Sequence, residues 1–158
     1  MNTISFVLSA PLQSYGMPTT TAYRRTYLHP TAKTVTGLIS AALGYRRHDP
    51  RIAKLASEIK ISYQKMKYSK QLTDYQIIQY QLSNKPGSKI FTKQSWRDYL
   101  QDSKFKIYIS SSNSDLISEI EYALQHPQFA LYIGRRSCPP DRPLRIERCE
   151  LNADARTL

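Results

Sequence analysis

The alternation of apolar and polar positions divides the chain into short β-type runs and longer segments of helical period. Ile4 to Leu8 is a compact apolar run ended by Pro11, which predicts an opening strand. From Thr31 to Leu43 apolar residues recur at helical spacing, Thr31 or Thr34 can cap the start of this helix, and Gly44 follows as a stop signal. The same pattern predicts, in chain order, a short helix over 49–55, a strand over 59–63, a short helix over 95–100, a strand over 105–109, a helix over 115–125 and a strand over 129–133.

Residues 64–93 interrupt this pattern, because apolar positions become sparse and glutamines and lysines dominate. The segment from Lys85 to Ser88 supplies turn residues near its middle. A loop of this length without secondary structure is uncommon inside a compact domain. We therefore expect a protruding β-hairpin that carries exposed rings such as Tyr75.

The predicted order is β, α, β, hairpin, β, α, β. This order indicates the α+β class, with a ferredoxin-like or RRM-like βαββαβ body and the hairpin inserted as a thumb. A length of 158 residues fits one domain over residues 1–158. The short C-terminal tail, 144–158, is expected to add one strand over 146–151.

The charge of the chain narrows its possible partners. Lys and Arg outnumber Asp and Glu by 23 to 12, which gives a formal charge of +11, and a polyanion is the natural partner of such a protein. The basic residues are concentrated between Tyr23 and Lys70, where Asp49 and Glu58 are the acidic residues. Scattered lysines often serve solubility alone, but so uneven a block favours nucleic acid.

The remaining composition indicates neither a metal nor a cofactor. Cys138 and Cys149 have no ligand spacing, and three scattered histidines do not complete a site. We expect a reduced, cytoplasmic protein. The apolar run at Ile4 to Leu8 is too short to cross a membrane and resembles no signal peptide.

The stretch from Leu131 to Pro143, LYIGRRSCPPDRP, combines a glycine, two arginines and a stiff proline-rich exit. Gly134 permits a turn, or a close approach to another chain segment where a Cβ would clash. The guanidinium groups of Arg135 and Arg136 suit phosphate oxygens. An ordinary surface arginine pair next to a turn would look the same in isolation.

Five segments together resemble the CasD family, the subunit of type I-E CRISPR Cascade complexes that holds the 5′ handle of the crRNA and belongs to the RAMP superfamily. The matching segments, in family order, are APLQSYG, PTAKTVTGLISAALG followed by YRRHD, LTDYQ, SWRDYLQDSKF and LYIGRRSCPPDRPL. The resemblance implies a single RAMP-type domain with a thumb over about 64–93. It also implies partners: the crRNA 5′ handle, the backbone subunit CasC, the large subunit CasA, and target DNA through the assembled complex.

A handle is a short single strand, so its site needs phosphate clamps, stacking faces and a few polar contacts. We assign the RNA-binding residues accordingly: Arg24, Arg25, Lys33, Arg46, Arg135 and Arg136 to the phosphate backbone, Gln13 and Ser137 to polar contacts, and Tyr15 and Tyr75 to stacking or thumb packing. Gly134 belongs to the same RNA-binding set as the residue that permits a close backbone approach next to the arginines. Trp96 is a further candidate ring, although a lone Trp on an amphipathic helix more often packs in the core.

A second hypothesis is a metal-independent endoribonuclease that processes CRISPR repeat RNA. Such an enzyme uses the 2′-hydroxyl of the substrate as nucleophile and needs a general base and acid within hydrogen-bond reach. The candidates are His29, His48, Tyr27 and Lys33. The resemblance favours the binding subunit, in which a separate protein cuts the RNA, so we expect no catalytic residues. A generic RNA-recognition module is disfavoured because the strands lack its aromatic signature.

Overall fold

The computed structural model describes residues 2–67 and 70–158. Its elements, in chain order, are β1 (Asn2–Ser9), β2 (Leu12–Gln13), β3 (Tyr15–Gly16), β4 (Tyr23–Arg24), β5 (Thr26–Tyr27), α1 (Ala32–Ala42), α2 (Arg51–Glu58), β6 (Lys60–Lys67), β7 (Lys70–Gln81), β8 (Ile90–Gln101), β9 (Lys104–Ser111), α3 (Ser114–Gln125), β10 (Glu147–Arg148) and β11 (Arg156–Thr157). The predicted strands at 4–8, 59–63 and 105–109 and the helices at 31–43 and 115–125 are confirmed, with small shifts at their ends.

The central sheet has the strand order β10-β1-β9-β6-β11, and every neighbouring pair is antiparallel. The apolar residues that alternate along β1 and β9 are fully buried and place one face of the sheet on the core. Helices α1 and α3 contribute the other side of that core. The largest buried side chains of this core are Ile4, Phe6, Leu8, Tyr15, Ile39, Leu100, Phe105, Ile107, Ile109, Ile117, Ile120 and Leu124.

Local chemistry sets the ends of the helices. The Thr31 hydroxyl accepts a hydrogen bond from the Thr34 amide at the start of α1, as a helix N-cap does. Gly44 follows the helix with φ +78°, the left-handed conformation that favours glycine. Asn113 caps α3 through the amides of Asp115 and Leu116. These observations confirm the predicted cap and stop of α1.

The hairpin begins and ends later in the chain than the sequence predicts. Strands β7 and β8 pair continuously from Lys70 with Gln101 to Gln81 with Ile90. Residues 64–67, which the prediction assigned to the thumb, belong to β6 in the central sheet, and the part of the predicted thumb at 68–69 lies outside the described residues. The predicted helix over 95–100 is wrong. These residues form strand because β8 also pairs with β2 and β4, and this pairing overrides their local helical pattern.

The predicted strand over 129–133 is also wrong. The chain there bonds to the end of α1 instead, where the amides of Gln128 and Phe129 donate to the carbonyls of Ala42 and Ala41. The position beside β1 is taken by β10, which lies within the tail strand predicted over 146–151. Within the described ranges, no helix is long and apolar enough to cross a membrane.

Candidate nucleic-acid interface

Residues 133–138 form a closed turn, which we call the arginine loop. The Ile133 amide donates to the Cys138 carbonyl at 2.7 Å, and the Cys138 amide donates to the Arg135 carbonyl at 2.8 Å. Ile133 and Cys138 are both buried, so the loop is anchored at its two ends in the core. Burial raises the pKa of the Cys138 thiol. The residues between these anchors are thereby held at the surface in a fixed conformation.

Gly134 lets this loop lie against the chain that links β2 and β3. Its φ is +85°, and a Cβ atom at this position would lie 1.6 Å from the Ser14 carbonyl oxygen. The Ser14 amide donates to the Ile133 carbonyl at 3.2 Å at the same contact. The predicted need for glycine is confirmed, because another residue would overlap backbone atoms that cannot rotate away.

The two arginines of the loop point to different surroundings. The Arg135 guanidinium lies 4.7 Å from the centroid of the buried Tyr99 ring, and its Nη2 donates to the Arg24 carbonyl at 3.2 Å. Its Nη1 is buried without a hydrogen-bond partner. Arg136 is exposed. The sequence predicts two phosphate clamps, but the geometry leaves Arg136 free for that role and gives Arg135 a contact between the loop, β4 and β8.

An open groove of about 1840 Å³ runs between α1, α2 and the arginine loop. Its basic lining, which we call the basic groove, comprises Lys33, Arg46, Arg47, Lys60 and Arg136. Three of these are predicted RNA-binding residues: Lys33 in the first turn of α1, Arg46 after its end, and Arg136. Arg47 follows Arg46 beyond the helix end and also lines the groove, although the sequence assigns no RNA contact to it. The clustering of positive charge makes the groove suitable for a phosphate chain.

The other predicted residues lie outside this groove or line it without charge. Gly134 lines it next to Arg136. Ser137 is exposed at the tip of the loop, with its hydroxyl 3.9 Å from the Cys138 sulfur. Arg24 and Arg25 are exposed on and after β4, on the hairpin side of the molecule. Tyr75 is half-exposed on β7.

Gln13 and Tyr15 require a correction, because both are fully buried. The Gln13 amide donates to the Ser103 carbonyl at 2.7 Å, and the Tyr15 hydroxyl donates to Gln13 Oε1 at 2.7 Å. The Tyr15 ring also packs edge-on against Phe105, and burial, with a smaller contribution from Cys138, raises the pKa of its phenol well above the usual value. These side chains complete the core under the loop, so the predicted RNA contact of Gln13 and Tyr15 is wrong.

Three of the four residues considered for nuclease chemistry line two separate cavities, and the fourth, Tyr27, lies next to His29 with ring centroids 5.9 Å apart. His29 stacks on Tyr63 with ring centroids 5.3 Å apart and lines a smaller cavity of about 390 Å³. Its Nδ1 lies 2.7 Å from the Pro30 carbonyl. Lys33 and His48 line the basic groove instead. In residues 2–67 and 70–158 no three His, Cys, Asp or Glu side chains are grouped as metal ligands would be.

Comparison with known proteins gives two similarities of sequence. Residues 3–157 match the family model described as CRISPR-associated protein (Cas_Cas5). The chain is 30% identical over 164 residues to the CRISPR system Cascade subunit CasD of Escherichia coli (strain K12), with 96% of this chain and 73% of that protein covered.

Two solved structures are similar in fold. One is titled CRISPR RNA-guided surveillance complex, with TM-score 0.74 and 26% identity over 88% of this chain. The other is titled Crystal structure of Cas protein, with TM-score 0.66 and 26% identity over 90% of this chain. The chain spans 60% and 61% of the lengths of those two chains.

Proposed function

The chain belongs to the CRISPR-associated Cas5 family, and from this premise we propose that it is a subunit of a Cascade surveillance complex that binds the 5′ handle of the crRNA. In this role it caps the filament of backbone subunits next to the large subunit and meets target DNA through the assembled complex. The observation that carries the proposal is the basic groove, in which Lys33, Arg46 and Arg136 come from separate parts of the chain to line one surface.

The fold supports this proposal. We assign the body to the ferredoxin-like type, because β1, β6, β9 and β10 occupy the order β10-β1-β9-β6 with antiparallel neighbours, the arrangement of a split βαβ sheet. The whole chain is then one RAMP-type domain, and the β7–β8 hairpin is its thumb. The body presents the groove, and the thumb extends from it.

The binding role is favoured over endonuclease activity by the position of the candidate acid–base groups. A general base and acid must both reach the reacting phosphodiester. His29 lines a different cavity from Lys33 and His48, and its Nδ1 is already engaged with a backbone carbonyl. Lys33 and His48 share the basic groove, but Lys33 lies in the first turn of α1 and His48 follows the other end of that helix. We therefore propose that another protein processes the RNA.

The test is a titration of the protein with end-labelled handle RNA over a salt series in EDTA, with a scrambled handle as comparison. We expect uncut RNA and preference for the intact handle. Each lost phosphate contact should lower the slope of log K against log salt by about 0.7 for a single strand. The triple variant Lys33→Ala, Arg46→Ala, Arg136→Ala should therefore lose about 2 from this slope.

The matched control is Arg148→Ala. Arg148 is an exposed arginine whose guanidinium binds Glu121 on α3, and it does not line the groove. Its loss should leave the slope unchanged. If the triple variant keeps the wild-type slope, the groove is not the RNA site. A discrete cut in the repeat would instead support the endoribonuclease hypothesis.

A further inference from the structure

Three neighbouring strands each carry an aromatic residue at the same position in the strand register. Tyr23 on β4 and Tyr75 on β7 are both in register with Trp96 on β8. The Tyr23 and Trp96 rings are 6.4 Å apart between centroids with planes 8° apart, and the Trp96 and Tyr75 rings are 5.3 Å apart. We call Tyr23, Trp96 and Tyr75 the aromatic row.

The Tyr23 end of the row is held in place by hydrogen bonds, and the Tyr75 end is exposed to solvent. The Tyr23 hydroxyl donates to Asp98 Oδ1 at 3.1 Å, and the Thr73 hydroxyl donates to the same oxygen at 2.7 Å. Asp98 is buried, so these bonds fix Tyr23 relative to β7 and β8. Tyr75 at the other end is 48% exposed. A ring with that exposure next to a fixed row offers a stacking surface at small entropic cost.

The charge next to the row is positive. The Arg25 guanidinium lies 5.4 Å from the Tyr23 ring centroid. The nearby carboxylate of Asp98 already accepts two hydroxyl groups. Asp74 precedes Tyr75 on β7, so its side chain points to the opposite face of the hairpin. A ligand that combines a flat ring with an anionic backbone matches this arrangement better than a cationic or aliphatic protein side chain does.

We propose that the aromatic row is a stacking subsite for one unstacked base of single-stranded RNA, with the base on the exposed ring, Tyr75, and the adjoining phosphate chain running across the row toward Arg25 at the Tyr23 end. This inference rests on the proposed function and specifies a second contact region, on the thumb, in addition to the basic groove. Stacking accepts any base, since every base has a flat face. The subsite therefore adds affinity without reading sequence.

Trp96 provides a direct reporter, because it is the single Trp of the chain. The probes are short single-stranded oligoadenylate and oligouridylate, titrated into the full chain while Trp fluorescence and RNA anisotropy are recorded. We expect RNA binding to change the Trp96 emission. Tyr75→Ala should weaken binding by about five- to 100-fold, as the loss of one stacked base does, and should abolish the emission change. Tyr75→Phe, which keeps the ring, should bind within about twofold of the wild type.

The matched control is Tyr80→Ala. Tyr80 lies on the same strand and is 43% exposed, but it is on the opposite face, where it packs on Phe91. Its loss should leave affinity for both probes unchanged. Equal weakening by Tyr75→Ala and Tyr80→Ala would indicate a general effect on the hairpin and would overturn the subsite. Weakening by Tyr75→Phe as large as that by Tyr75→Ala would overturn stacking as the cause.

The two proposals fail in different ways. If the RNA binds with its full salt slope but Tyr75→Ala changes neither affinity nor Trp96 emission, the subsite is wrong and the basic groove stands. If the wild-type chain retains neither handle RNA nor the two oligonucleotides at low salt, the proposed function itself is wrong. If only a peptide ligand changes the Trp96 emission, the row is a protein contact and the subsite is overturned.

Discussion

Replacing Gly134 with alanine tests the contact on which the arginine loop depends. The new Cβ would lie 1.6 Å from the Ser14 carbonyl oxygen, and both segments at this point are backbone. The loop would have to move away from the β2–β3 link. It would lose the bond from the Ser14 amide to the Ile133 carbonyl, which stabilises by about 1 kcal/mol. Partial exposure of the buried Ile133 side chain would cost about 1 to 2 kcal/mol more.

Gly87 in the turn of the hairpin is the matched control. Its φ of +79° is close to the +85° of Gly134, but a Cβ there would meet no atom within 4 Å. Alanine at either position incurs the same left-handed backbone cost of about 1 kcal/mol. The difference between the two variants therefore isolates the collision. We expect Gly134→Ala to lower the free energy of unfolding by about 2 to 3 kcal/mol more than Gly87→Ala does.

Urea denaturation followed by circular dichroism measures both variants against the wild type. A difference below about 0.5 kcal/mol with equal m-values would refute the close approach of the loop to Ser14. Retention of full handle affinity by a folded Gly134→Ala variant would further show that the loop position does not control the groove. The expected result is a destabilised protein that binds RNA weakly, because Arg136 is displaced.

Of the two arginines of the loop, we expect Arg135 to contribute to stability and Arg136 to RNA binding. Arg135→Ala should lower the free energy of unfolding by about 1 to 2 kcal/mol, because the Tyr99 ring contact and a hydrogen bond are lost. The slope of log K against log salt should stay unchanged. Arg136→Ala should do the reverse, lowering the slope by about 0.7 with stability nearly unchanged; the same result for both variants would contradict this division. Thr31→Ala should cost about 1 kcal/mol in urea denaturation through loss of the N-cap of α1. The Cys138 thiol should react with a thiol reagent at pH 8 only as the protein unfolds, because burial raises its pKa and excludes the reagent. Rapid labelling of Cys138 in the native protein would count against its placement in the core.

Periodic segments could be predicted from the sequence because their pattern is local. Helix α1 follows from apolar spacing, a threonine cap and a glycine stop, and the structure has all three. The hairpin follows from a polar stretch with turn residues. Residues 95–100 and 129–133 were predicted wrongly, since their conformation depends on distant partners: β2, β4 and β7 for the first, the end of α1 for the second.

In the candidate site, too, the residue types could be predicted from the sequence, whereas the positions of the side chains depend on distant contacts. The sequence identified arginines suited to phosphate, but Arg135 and Arg136 are neighbours with identical chemistry. Only the position of Tyr99 and the Arg24 carbonyl turns one of them inward. Gln13 and Tyr15 looked like exposed polar groups next to a glycine, and their burial depends on Ser103 and Phe105, about 90 residues further along the chain.

The charge, the main helices and strands, a long polar hairpin and the family of the chain could be predicted from the sequence, because composition, local periodicity and ordered motifs are properties of the chain alone. The tertiary structure decided which basic residues share a groove, which rings form a row and which strand completes the sheet. Those outcomes depend on contacts between residues far apart in sequence, and such contacts form only when the whole core is packed.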